Sequence, residues 1–203
     1  MKNYKKNLKA LQEGHVYSKE MEHDACGVGL IVSTEGKKSR KVVEYGINAL
    51  KAVWHRGAVD ADGKTGDGAG IHLEIPSDFF AEKIELTGHD HDGSEICVGM
   101  IFLPRNNYQA QENARTLVES ELTKSNFSIY GWRQVPVNPK VLGEKANLTR
   151  PEITQVLFKH NNKDLTEKEL ERKIYESRRK IEKEAIKDAI EGFYICSLSS
   201  KSV

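Results

Sequence analysis

The ten residues His23-Asp24-Ala25-Cys26-Gly27-Val28-Gly29-Leu30-Ile31-Val32 divide the chain into two parts that cannot fold alike. Residues 1–25 hold five lysines and four acidic residues, with helix formers around Leu8 and Leu11 and a break at Gly14-His15. They read as a leader, loosely held. From Gly27 to Ser33 the chain turns small and apolar, the pattern of a first buried strand, with Gly27 and Gly29 permitting close backbone approach. A lone cysteine at that junction has two readings. One is a small buried residue at a strand start, the common fate of an intracellular cysteine. The other is a nucleophile uncovered by cutting the chain before Cys26. Its new α-amino group, with an ordinary pKa of about 7.7–8.0 against about 8.5 for the thiol, would then be a built-in base.

The whole-chain numbers narrow the class. The 203 residues suffice for one good core. Lys+Arg 31 against Asp+Glu 30 leaves a net charge of +1, which offers no global attraction to nucleic acid or an anionic membrane. Cys26, Cys97 and Cys196 are an odd set without metal-type pairs, which fits a reducing compartment. The leader lacks the apolar stretch of a secretory signal, and no run approaches the roughly 20 residues of a membrane span. A cytoplasmic α/β protein is expected.

Downstream of the Thr34–Lys37 turn, Val43, Ile47, Leu50 and Trp54 fall on one stripe of a helix starting near Ser39, which makes Trp54 a core residue. That helix runs into His55-Arg56-Gly57-Ala58, where Arg56 either holds a carboxylate or a pocket wall, or is a helix-end surface charge. Thr65-Gly66-Asp67-Gly68-Ala69-Gly70 follows, just before the predicted strand 71–75. Its glycines precede a strand rather than a helix, so they do not match a dinucleotide fingerprint. They suit a tight wall of backbone beside a pocket.

A short helix after Pro76 carries Phe79, Phe80 and Ile84. His89-Asp90-His91-Asp92-Gly93 has the residue types of a metal site, but its alternation favours a solvated loop, and no metal is expected. Strands are predicted over 96–103, 127–137, 153–159 and 193–199, a helix over 110–124, and a loop over 139–151. Thr166-Glu167-Lys168-Glu169 is a capping box opening a long helix to Glu191, with Leu170, Ile174, Ile181 and Ala185 inward. The stop at Val203, just past a strand, reads as an interruption.

Cys26-Gly27-Val28-Gly29, His55-Arg56-Gly57-Ala58, Thr65–Gly70, Gly131-Trp132-Arg133-Gln134-Val135-Pro136 and Phe193–Ser199 occur in that order along the chain. Together they resemble the class II glutamine amidotransferase domain of glutamate synthase large subunits, an N-terminal-nucleophile hydrolase family. The resemblance implies an α+β fold, a four-layer αββα sandwich of antiparallel sheets, incomplete here at the C-terminus. It implies residues 1–25 as a leader or propeptide and 26–203 as the N-terminal part of the amidotransferase domain. Cys26 would be the nucleophile and Arg56 a substrate-binding residue. Gly27, His55, Gly57, Asp67 and Gly68 would support the pocket.

The implied substrate is L-glutamine, hydrolysed through a cysteinyl thioester to supply ammonia for making glutamate from 2-oxoglutarate. FMN and an iron–sulfur cluster would lie in the rest of a full-length enzyme, with further synthase domains and a small electron-donating subunit as partners. The family's oxyanion-hole and principal glutamine ligands come from later segments, so these 203 residues alone are expected to be poorly active. An amidotransferase of another class II pathway and a non-catalytic remnant of the fold are the alternatives.

Overall fold

A computed structural model describes Lys6, Lys9, Ala10, Glu13, 27–54 and 57–203. The chain forms two compact units, residues 1–58 and 59–203. In the first, α1 (Arg40–Ala52) follows a turn in which the amide of Gly36 donates to the Ser33 carbonyl at 3.1 Å. Val43, Ile47 and Leu50 share its half-buried side.

Two expectations fail in this unit. Residues 27–33 form no ladder with any described residue, and Val28, Leu30 and Val32 are exposed. Strand-like composition makes a strand only where a partner supplies the hydrogen bonds. Trp54 is 76% exposed, not core. The α-helix ends at Ala52 with Val53 as C-cap, so Trp54 has left the helical phase that aligned it with Leu50.

The second unit is built on one antiparallel sheet of four strands in the order β2-β3-β1-β4. These are β1 (Cys97–Leu103), β2 (Phe127–Gln134), β3 (Glu152–His160) and β4 (Tyr194–Ser199). β1 and β3 pair in register from Cys97↔Phe158 to Leu103↔Glu152. Side chains alternate across them. Cys97, Ile101, Leu103, Val156 and Phe158 therefore face one way, against α3 (Tyr108–Lys124) and α5 (Glu167–Lys187). Val98 and Leu157 face the other way, into a second cluster with Ile75, Ile96, Tyr130, and Phe80 and Ile84 of α2 (Ser77–Glu85). Each fully buried side chain of this kind contributes about 1.5–3 kcal/mol relative to exposure. The fold is α+β.

Local chemistry explains the helix limits. Asn107 caps α3 by accepting from the amide of Ala110 at 3.0 Å. The capping box of α5 forms as predicted, Glu169 accepting from the amide of Thr166 at 2.9 Å and Thr166 from that of Glu169 at 3.4 Å. α5 stops at Lys187, four residues before the expected end, because Ala189 adopts a φ of 51°. The expected loop 139–151 contains a 3₁₀ turn (Pro139–Val141) and a short helix, α4 (Glu144–Thr149).

The predicted strand 71–75 is reduced to a bridge, Glu74↔Ser202. Leu73 and Val203 exchange both backbone hydrogen bonds at 2.9 Å, and the amide of Ile75 donates to the Lys201 carbonyl.

Gly99 lies mid-strand where β4 and β3 close in. A Cβ there would stand 2.5 Å from Leu198 Cδ1 and 2.7 Å from Val156 Cγ1. Gly99→Ala is expected to destabilise the protein by about 1–3 kcal/mol through overpacking. Denaturation midpoints of variant and wild type measure this, and equal midpoints would show that Leu198 and Val156 give way freely.

Candidate functional site

Three of the predicted site residues, Cys26, His55 and Arg56, lie outside the described residues, as does the leader apart from Lys6, Lys9, Ala10 and Glu13. Gly27 is exposed at the start of the 27–33 segment. Gly57 closes the end of the α1 region, its amide donating to the Trp54 carbonyl at 3.1 Å. Both belong to the first unit. Asp67 and Gly68 belong to the second, on a solvent-facing run.

That run is tied at both ends. On its N-terminal side, the amide of Asp60 donates to the Thr65 carbonyl at 2.7 Å, and Val59 bridges Gly66. Inside this loop, Asp62 Oδ1 accepts from the amides of Lys64 at 2.9 Å and Thr65 at 2.6 Å. Asp62 Oδ2 accepts from Thr65 Oγ1 at 2.5 Å and from the amide of Glu144, the first residue of α4, at 3.1 Å. These donors, the Thr65 hydroxyl foremost, hold the Asp62 carboxyl down at about 2. Lys145 Nζ adds an ion pair to Asp60 at 2.7 Å. On the C-terminal side, residues 73–75 are paired with 201–203.

Asp62 and Gly143 escaped the sequence reading. Asp62-Gly63-Lys64-Thr65 has the spacing of a side-chain-to-backbone turn, a signal that was there to be used. The partner at Glu144 is 82 residues away, and no local pattern encodes it.

The His89–Gly93 loop is an anchor. Asp92 accepts from Lys159 Nζ at 2.8 Å and pairs with Lys163 at 3.2 Å, while the Tyr130 hydroxyl donates to it at 3.3 Å. His91 Nε2 lies 2.9 Å from the Ser94 carbonyl. Among the described residues no group of three His, Cys, Asp or Glu could hold a metal ion. Cys97 is fully buried and burial pushes its thiol far above the usual range, so it is no rival nucleophile.

The family described as glutamine amidotransferases class-II matches residues 26–203, beginning at the cysteine singled out above. This chain belongs to the class-II glutamine amidotransferases. It is 51% identical over 201 residues to the glutamate synthase (NADPH) large chain of Azospirillum brasilense, covering 99% of this chain and 13% of that protein. It is 37% identical over 188 residues to the ferredoxin-dependent glutamate synthase of Pyropia yezoensis, 91% of this chain and 12% of the relative. A third relative, ferredoxin-dependent glutamate synthase 2 of a Synechocystis species, is 38% identical over 183 residues, 90% of this chain and 11% of its own length. The chain thus spans only about an eighth of the length of the curated relatives it matches.

Within this amidotransferase the Asp92 anchor has a readable pH signature. Hydrogen bonds from Lys159 and then Ser94 hold its carboxyl well below the usual carboxylate range. A depressed folded-state pKa stabilises the protein above the unfolded value, near 3.9, and that contribution drains away as pH falls below it. Asp92→Asn lacks the contribution at every pH. The gap between the urea midpoints of wild type and D92N is therefore expected to be full at pH 7 and to shrink below about pH 4. A gap that is constant down to pH 3 would show that the ion pairs do not stabilise the fold.

Proposed function

We propose that this chain is the glutamine-hydrolysing part of a glutamate synthase, working through Cys26 after removal of residues 1–25. The observation that carries the reading is the start of the family match at Cys26. The 51% identity to a glutamate synthase large chain supports the choice among class-II pathways.

In this reading the α-amino group of Cys26 takes the thiol proton, and the sulfur attacks the side-chain carbonyl carbon of glutamine. Collapse of the tetrahedral intermediate expels ammonia, the leaving nitrogen receiving the proton, and leaves a γ-glutamyl thioester. Water cleaves the thioester, releasing glutamate and restoring the thiol. Arg56 is a substrate-binding residue that shapes the glutamine pocket, its planar guanidinium suited to a carboxylate. Gly27, His55, Gly57, Asp67 and Gly68 shape the pocket.

The ammonia would serve reductive formation of glutamate from 2-oxoglutarate in the remaining domains, where FMN and an iron–sulfur cluster belong. Cys97, buried in β1, and Cys196, on β4, make no cysteine set for an iron–sulfur cluster, and we assign both cofactors to those other domains. A small electron-donating subunit completes the proposed assembly. We place the protein in the cytoplasm. Among the described residues no helix is long and apolar enough to cross a membrane.

The test uses the full-length protein and a diazoketone analogue of glutamine that alkylates an active thiol. Intact mass is expected to show a chain beginning at Cys26, with the analogue attached to that residue. Cys26→Ser is expected to abolish labelling and to lower glutaminase turnover by more than about 10³-fold, the scale on which loss of a nucleophile acts. Full activity with residues 1–25 retained, or an active C26S, would overturn the assignment.

A further inference from the structure

The loop before the glycine-rich run is fastened to a distant helix by a contact that leaves no spare room. Asp62 lies between two kinds of partner. One oxygen serves its own turn, the amides of Lys64 and Thr65; the other reaches the Thr65 hydroxyl and the amide of Glu144. Thr65 Oγ1 in turn lies 3.4 Å from the amide of Ala146.

The helix can come this close only because residue 143 has no side chain. A Cβ on Gly143 would stand 2.1 Å from Thr65 Oγ1, 2.4 Å from Asp62 Oδ2 and 2.4 Å from the Thr65 amide nitrogen. One of those atoms is backbone, so no rotamer change relieves the collision. Gly68 and Gly70, by contrast, have open space where a Cβ would be. Backbone pairing constrains the run at its two ends.

We propose that Asp62 is a positioning residue of the glutamine pocket, acting with Thr65 and Gly143 as a clip between the 59–66 loop and α4 that fixes where the Gly66–Gly70 wall begins. The proposal rests on the reading that this chain hydrolyses glutamine and that Asp67 and Gly68 belong to the pocket wall. A wall held in place before substrate arrives spends none of the binding energy on ordering itself. Loosening the clip therefore weakens the capture of glutamine, while the attack by Cys26 on substrate once bound is left alone.

Asparagine at 62 separates the two functions of the carboxylate. Its carbonyl oxygen still serves the local turn, but its NH₂ group donates and cannot accept from Glu144. Glutaminase kinetics of the full-length protein are expected to show Asp62→Asn and Gly143→Ala raising the KM for glutamine by about tenfold, with kcat within about twofold of wild type. Thr65→Ser keeps the hydroxyl and is expected to keep the wild-type KM; Thr65→Val is expected to raise it. Hydrogen exchange of amides 63–70 should quicken in D62N and G143A and not in T65S.

A wild type that hydrolyses no glutamine would remove the underlying reading, and the proposal with it. An active wild type with unchanged KM in D62N and G143A would overturn the proposal alone. So would a fall in kcat as large as the rise in KM, or a loss of folded protein with KM unchanged.

Discussion

The second unit depends on two neighbouring strands that are apolar on both faces. β1 and β3 place Cys97, Ile101, Leu103, Val156 and Phe158 on one side of the sheet and Val98 and Leu157 on the other. Neither side can be left in water, so the sheet must be a middle layer. α3 and α5 cover the first side with Ala114, Val118, Leu122, Leu170, Ile174 and Ile181. The second side is covered more thinly, by Ile75, Phe80 and Ile84 with Val203 packed against them.

The thin cover is where the chain leaves the sheet. After β4 it turns at Ser199–Ser202, and polar contacts from α5 hold the turn. The Glu171 carboxylate accepts from Ser199 Oγ at 3.1 Å and from the amide of Ser200 at 2.6 Å. Lys201 Nζ lies 3.1 Å from carboxylate oxygens of both Glu95 and Glu167. Arg178 of the same helix donates to the Ile195 carbonyl at 2.8 Å. One helix thus packs its apolar edge on the sheet and uses its charged flank to steer the outgoing strand. That steering brings residues 201–203 alongside 73–75, directly downstream of the glycine-rich run.

How legible an element was follows from how local its cause is. The capping box of α5 and the apolar runs of β1 and β3 are written within a few residues, and the structure matches them to within a residue or two. Residues 27–33 and 71–75 have strand composition but depend on partners elsewhere, and among the described residues only Glu74 of these obtains a bridge. Trp54 followed the stripe in sequence but not in space, because one residue of irregular backbone at Val53 is enough to break the phase. For the site, the chemistry was carried by motif resemblance, since spacing alone left Cys26 open between a core residue and a nucleophile. The family match begins at that residue.

α4 shows the limit most clearly. Its six residues are too few to be stable from propensity, and its first turn has no capping side chain of its own. The cap comes from Asp62, and the approach that permits it comes from the missing side chain of Gly143. Helix and loop are therefore one object: the loop is ordered by donors at the helix start, and the helix starts where the loop's carboxylate satisfies its amide. A glycine and an aspartate far apart in sequence are each unremarkable when read locally. Their meaning lies in a shared volume that excludes a single methyl group, which is why charge at 62 and smallness at 143 have to be retained together for either to work.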